Sequence, residues 1–161
     1  SDLRLREGIV HRVRLGEVGK TFHFGVMSGV LEGTVRNLGF TGGELTSFEV
    51  DVQTVPVRGV PQYLNRGAIE SIRRVFTGPL GTLEESLFSK FRYADFGFWA
   101  RLEDGIFRLR GKYPDGGAEY LMRGRWYQFP RVSIINSRPD QPYDWKSIVW
   151  NLRKIYESED E

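Results

Sequence analysis

Cysteine is absent from the 161-residue chain, which excludes disulfides, thiol nucleophiles and cysteine-ligated metals together. Histidine is nearly absent. His11 and His23 are the only two, with no HExxH spacing and no second ligand one helical turn away, so neither a zinc site nor a catalytic triad is built around them. No apolar run approaches the roughly 20 residues that a membrane-spanning helix needs, and the start of the chain carries no signal-peptide pattern. An excess of one charge is missing too. Lys and Arg number 23 against 21 Asp and Glu, a net charge of +2, so the field around the molecule is weak and does not steer it toward nucleic acid.

What remains is an ordinary folded composition, 40% hydrophobic and 27% charged, with 19 glycines that promise many turns. The length suits one domain with a substantial core. The chain begins at Ser1, and strand-like sequence follows almost at once. It reads as the C-terminal fragment of a longer protein, with any anchor or export signal lying upstream. A cysteine-free chain suits an oxidising compartment.

The stretch Tyr93 to Asn136 organises the rest. Apolar and charged residues alternate on either side of Glu103-Asp104-Gly105 and Pro114-Asp115-Gly116-Gly117, which predicts four strands joined by short turns. Phe96, Phe98, Ala100, Leu102, Phe107 and Leu109 share one face, and Arg101, Glu103, Arg108 and Arg110 the other, giving a sheet with one dry and one wet side. The first 57 residues read as a meander. Leu3 to Val18 gives two short strands around Glu7-Gly8, Phe22, Phe24 and Val26 alternate before Ser28-Gly29, and Phe48, Val50 and Val52 alternate with Glu49, Asp51 and Gln53.

After Pro56 and Pro61 the period changes from two to about 3.6. Residues 62–76 place Leu64, Ala68, Ile69, Ile72, Val75 and Phe76 on one helical stripe, although Gly67 weakens such a helix by about 1 kcal/mol. A second helix is expected over 80–92. A third, over 144–156, has Asp144 as its N-cap and Trp145, Ile148, Val149, Leu152, Ile155 and Tyr156 as its stripe. It either docks on the sheet or presents Trp145 and Trp150 to a partner; docking is favoured, because a short helix is held by burying its apolar face. The expected fold class is α+β: a curved, groove-like antiparallel meander with two or three amphipathic helices covering one face.

Chemistry-bearing motifs do not converge. Gly16-Glu17-Val18-Gly19-Lys20-Thr21 ends like a phosphate loop, but it has too few residues between its glycines and leads into a strand, so it reads as a hairpin turn. Ser28 lacks the spacing of a nucleophile elbow. Glu84-Glu85 and Glu103-Asp104 are adjacent and so point to different sides of their element. Arg123, Arg125, Trp126 and Tyr127 interleave bases with rings in the manner of a single-strand clamp, yet the balanced charge argues for no nucleic-acid partner. No enzyme activity, cofactor or metal is expected.

Several runs carry a resemblance. They are GELTSFEVDVQTVPVRGVPQYLNRGAIESI, FRYADFGFWARLEDGIFRLRG, AEYLMRGRWYQFPRVSIIN and PYDWKSIVWNLRKI. Gly59-Val60-Pro61-Gln62 opens a helix, the run from Leu102 to Leu109 is a turn between strands, Tyr120 to Gly124 is a strand, and Ile134-Ile135-Asn136 precedes a final helix near Trp145. Over residues 43 to 156 this order resembles the C-terminal region of bacterial AsmA-like envelope proteins, the AsmA, TamB and YdbH type. The resemblance implies an inner-membrane-anchored periplasmic protein whose long sheet curls into an apolar groove and moves phospholipid between membranes, in outer-membrane biogenesis. Its partners would be phospholipid, the upstream part of the same chain and other envelope proteins. Burying an acyl chain is favourable by about 0.8 kcal/mol per CH₂, and no reaction is needed. Residues expected to form the apolar wall are Phe22, Phe24, Val26, Phe48, Val50, Val52, Phe96, Phe98 and Phe107. The sequence leaves open whether they line a groove or fill a core, and whether the domain is instead a capping or interaction module ending a longer sheet.

Overall fold

Three two-residue turns set the course of the sheet. Gly42-Gly43, Asp104-Gly105 and Gly116-Gly117 all have positive φ at both positions, the type I′ geometry whose twist matches that of antiparallel strands and which glycine and aspartate tolerate best. The computed structural model describes residues 2–77, 90–125, 127, 132–136 and 138–158.

The elements are β1 (Asp2–Arg14), α1 (Leu15–Thr21), β2 (Met27–Ser28), β3 (Val30–Thr41), β4 (Glu44–Thr54), β5 (Tyr63–Asn65) and α2 (Arg66–Thr77), then β6 (Lys90–Glu103), β7 (Ile106–Gly111), β8 (Tyr113–Asp115), β9 (Ala118–Gly124), β10 (Ile134–Asn136), β11 (Tyr143–Asp144) and α3 (Trp145–Ser158). The described strands form one open, curved sheet, and every pairing in it is antiparallel. The fold is α+β.

β6 is the spine. Its second half lies between β4 and β7, and its first half between β5 and β9. The β4–β6 pairing is the seam that joins the β1–β3–β4 half to the half built around β7 and β9. A register shift between Tyr93 and Asp95 changes which parity faces inward, so Phe91 and Tyr93 are buried before it, and Phe96, Ala100 and Leu102 after it.

Cross-strand rows explain both faces. One inner row runs Gly8, Val35, Val50, Ala100, Leu109, and another runs Phe48, Leu102, Phe107, Tyr143. The outer face carries Glu7, Arg36, Glu49, Arg101 and Arg108 in a single row. Charges stay in water, where such pairs contribute little. Ala68, Ile69, Ile72 and Val75 of α2, and Ile148 and Ile155 of α3, belong to the same buried cluster as Val52, Phe107 and Leu109.

Several expectations need correction. Leu3 to Val18 does not make two short strands: β1 runs unbroken to Arg14, and Leu15 begins a helix, its N–H donating to the Gly29 carbonyl at 3.0 Å and its side chain buried. The phosphate-loop-like stretch Gly16–Thr21 therefore lies within α1, not in a hairpin. Phe22, Phe24 and Val26 are not on a strand, because Phe22 closes α1 and the left-handed φ at His23 and Gly25 breaks any extended run. The helix expected from residue 62 starts at Arg66, since Asn65 accepts the Ala68 N–H at 2.8 Å as its N-cap while Tyr63–Asn65 pair with β6. In the helix expected over 80–92, residues 80–89 lie outside the described residues, and Lys90 to Arg92 open β6. Among the described residues five strands, not four, lie between residues 90 and 136. Asp144 caps α3 as expected, accepting from the Ser147 N–H at 3.1 Å.

Candidate functional site

Seven of the nine expected wall residues come together, Phe24 from the segment after α1 and six from the strands. Phe48, Val50, Val52, Phe96, Phe98 and Phe107 belong to, or pack against, one buried cluster, with Val52, Phe96 and Phe107 fully buried. Trp145 joins them. Its ring stacks on Phe107 at 5.7 Å between centroids and meets Phe48 edge-on at 5.6 Å, while Phe76 of α2 stacks on Phe107 from another side at 5.8 Å. Phe24 is half-buried against the same cluster, but Phe22 and Val26 are exposed at its margin. Trp150, the other expected docking residue, is 56% exposed.

The residues behind the family resemblance have architectural work. Gly59 and Val60 make a tight turn closed by the Val60 N–H on the Val57 carbonyl, and Gln62 donates from Nε2 to the Ala94 carbonyl at 3.0 Å, so the chain crosses from β4 to β5 along the flank of β6. Asn136 is a buried polar residue with both ends occupied. Its Nδ2 donates to the Leu109 carbonyl at 2.8 Å and its Oδ1 accepts from the Arg138 N–H, which closes β7's outer edge where β11 does not reach.

Further apolar cross-strand rows lie beyond Trp145, at the β1 end of the sheet. Leu3, Phe40 and Leu45 form one cross-strand row and Leu5 with Leu38 another. Leu45 shares the lining of a cavity of about 920 Å³ with Leu102, Trp145, Val149 and Trp150 of the α3 side. Leu3 is 65% and Leu5 46% exposed. The sequence signal was available: Leu3 and Leu5 alternate, and Leu38 and Phe40 answer them across the strand pair.

β1 is the edge of this half. Its thirteen residues pair only with β3 among the described residues, leaving one side of the strand with backbone donors and acceptors turned to solvent. A register shift between Val10 and Val13, with Arg12 at φ 48, bends its far end.

The histidines are separate. His11 lies 3.7 Å from Glu32 on the surface, and His23 stacks on Tyr156 at 4.3 Å. Of the residues that interleave bases with rings, Arg123 is engaged by Asp95 at 2.6 Å and lies over the Tyr113 ring, Arg125 donates to the Tyr127 hydroxyl at 2.6 Å, and Trp126 lies outside the described residues. No described helix is long and apolar enough to cross a membrane.

Three tyrosines hold their protons beyond the usual range. Burial raises Tyr93, with neighbouring Tyr113 adding to it; burial raises Tyr113, with the Asp95 carboxylate adding and Arg123 opposing; burial raises Tyr143, with Arg138 opposing. The Tyr93 hydroxyl donates to the Ser28 carbonyl at 2.7 Å. Unfolded tyrosines titrate at about 10, so the unfolded chain loses these protons first. The stabilisation is complete below that pH and is lost as pH rises through it. Urea midpoints should therefore fall from about pH 10 upward, and Tyr93→Phe should flatten the fall while costing about 1 kcal/mol at neutral pH through the lost bond.

Compared with protein-family models, curated proteins and solved structures, the chain matches none.

Proposed function

We propose that this chain is the closing end of a longer, lipid-carrying β-sheet: a non-enzymatic module whose β1 edge continues into further strands and whose helices plug the apolar face. One observation carries the reading. α2 and α3 pack with β4, β6 and β7 in one apolar cluster, and beyond it the cross-strand apolar rows pass from half-buried Leu45, Phe40 and Leu38 to exposed Leu5 and Leu3 on β1, a strand with no second partner among the described residues.

Open hydrocarbon beside an open edge is what a sheet offers when its groove goes on past the piece in view. Acyl chains would lie along the uncovered rows, and the aromatic cluster would be the stop. The wall expected from sequence is then mostly the plug, with Phe48 at its rim. The AsmA-like resemblance supports this reading, together with a periplasmic place, an inner-membrane anchor supplied by upstream sequence, and phospholipid and envelope proteins as partners.

A second reading shares the open edge. In it the edge accepts a protein strand and no lipid is carried, as in a capping module that only ends a sheet. A photo-crosslinking residue at position 3 or 5 separates the two. With phospholipid vesicles and envelope extract both present, crosslinks to acyl chains support the groove, and crosslinks confined to polypeptide support the cap. Leu5→Asp should abolish lipid co-purification in native mass spectrometry at an unchanged melting temperature, because the side chain is already half in water.

A further inference from the structure

The turn that follows β4 has no part in that reading. Its Pro56, Val57, Val60 and Pro61 line another cavity, of about 450 Å³, together with Arg58, Arg125 and the contact of Gln62 with Ala94. We propose that this cavity binds a small organic anion, a carboxylate or phosphate carried on an apolar body, with the oxyanion held by Arg58 and Arg125 and the body against the prolines and valines.

Charge selects the ligand. No carboxylate is among the residues that line the cavity. The segments around it, residues 56–62, 92–95 and 123–125, contain Arg58, Arg92, Arg123 and Arg125 against Asp95 alone. Asp95 is already engaged, because its Oδ2 accepts from both Nε and Nη2 of Arg123. Among the described residues no ion pair reaches Arg58, Arg92 or Arg125. Arg125 is held by neutral groups instead: Nη1 donates to the Tyr127 hydroxyl at 2.6 Å and Nε to the Tyr93 carbonyl at 3.4 Å. These bonds orient the guanidinium without cancelling its charge and leave it further N–H groups to donate. A carboxylate or phosphate takes such donors in parallel pairs.

The apolar wall is preformed. The Val60 N–H on the Val57 carbonyl at 3.1 Å closes the turn that carries Arg58, and a proline on either side fixes the backbone of its flanks. Ser28 Oγ donates to the Pro61 carbonyl at 2.6 Å, and Gln62 Nε2 to the Ala94 carbonyl at 3.0 Å, which tie the turn to its neighbours. A wall fixed in advance leaves little to be ordered on binding. Its volume suits a molecule of several heavy atoms better than a bare ion.

The test titrates the whole chain, at low ionic strength, with phenylphosphate, benzoate, inorganic phosphate and neutral benzyl alcohol, each followed by calorimetry. Saturable binding of phenylphosphate or benzoate is expected, with the tighter of the two assigning phosphate or carboxylate. Inorganic phosphate should bind more weakly, and benzyl alcohol should give no saturable heat. Arg58→Gln and Arg125→Gln should each weaken binding roughly tenfold, the loss of one charged hydrogen bond. Arg58 is exposed and makes no ion pair among the described residues, so its variant tests the site even if Arg125→Gln disturbs the fold. Arg153→Gln, on α3, should bind as the parent does. Equal heats from benzyl alcohol and the anions overturn the proposal, as does an equal loss in Arg153→Gln, which would mean attraction to the molecule at large. Absence of saturable binding by every anion overturns it as well. None of these variants touches Leu3 or Leu5, so failure of the groove reading and failure of this one are seen separately.

Discussion

Replacing Gly33 with alanine is expected to cost about 3 kcal/mol, a large effect for one methyl group. Gly33 sits between Val10 and Val52 in an inner row, and a Cβ there would overlap the Asp51 carbonyl oxygen and the Val52 Cα. Both obstacles are backbone, so no rotamer change relieves the clash. β3 and β4 would have to separate along the strand pair that carries β1. Gly105 makes the comparison: its φ is +75, yet a Cβ would meet nothing within 4 Å, so Gly105→Ala should cost only the about 1 kcal/mol of a left-handed residue. Urea denaturation of the two variants side by side reads the difference, and equal midpoints would mean that the strands are not in close contact at Gly33.

Trp145→Ala is expected to be comparably damaging, at about 3 kcal/mol, or roughly 10 °C in melting temperature for a chain of this size. The ring fills the space between Phe48 and Phe107, and it opens the helix whose Asn151 donates to the Val75 carbonyl of α2 at 3.2 Å. Losing it leaves a hole in the aromatic cluster and loosens the α3 contact with α2. Trp150→Ala should stay within about 0.5 kcal/mol, as expected for an exposed side chain. Two tryptophans on one helix therefore give a clean contrast in thermal melts: one holds the fold, and the other stands largely in solvent.

Much of the fold was legible because period-two patterns and Asp-Gly or Gly-Gly turns act locally. The dry face of Phe98, Ala100 and Leu102, the turn at Asp104-Gly105 and the Asp144 cap all follow from neighbours in sequence. Errors arose where a distant contact decided. Leu15 reads as the next step of a strand, but its backbone bonds to Gly29 and its side chain is buried, and that starts α1. Tyr63–Asn65 carry a helical stripe, yet pairing with Lys90–Arg92 holds them extended. The candidate site was legible in its composition but not in its position. Alternating aromatics announce an apolar face, whereas which part of that face a helix fills depends on where α2 and α3 come to lie, and no local pattern encodes this.

The β4–β6 seam has a consequence for the order of assembly. β3 and β4 are linked by a tight turn, as are β6 and β7, and β1 returns to β3 after only α1 and β2, so each set can form from comparatively local contacts. Joining them closes a loop that contains β5 and all of α2, and the entropy of that closure is lost before the seam contacts form. Folding should then wait on the meeting of Val50 with Ala100 and of Val52 with Phe98. Truncations at the seam would slow folding, whereas changes at the Leu3 and Phe40 end would mainly speed unfolding. The two halves should then assemble in time as separate units, although the finished sheet is continuous.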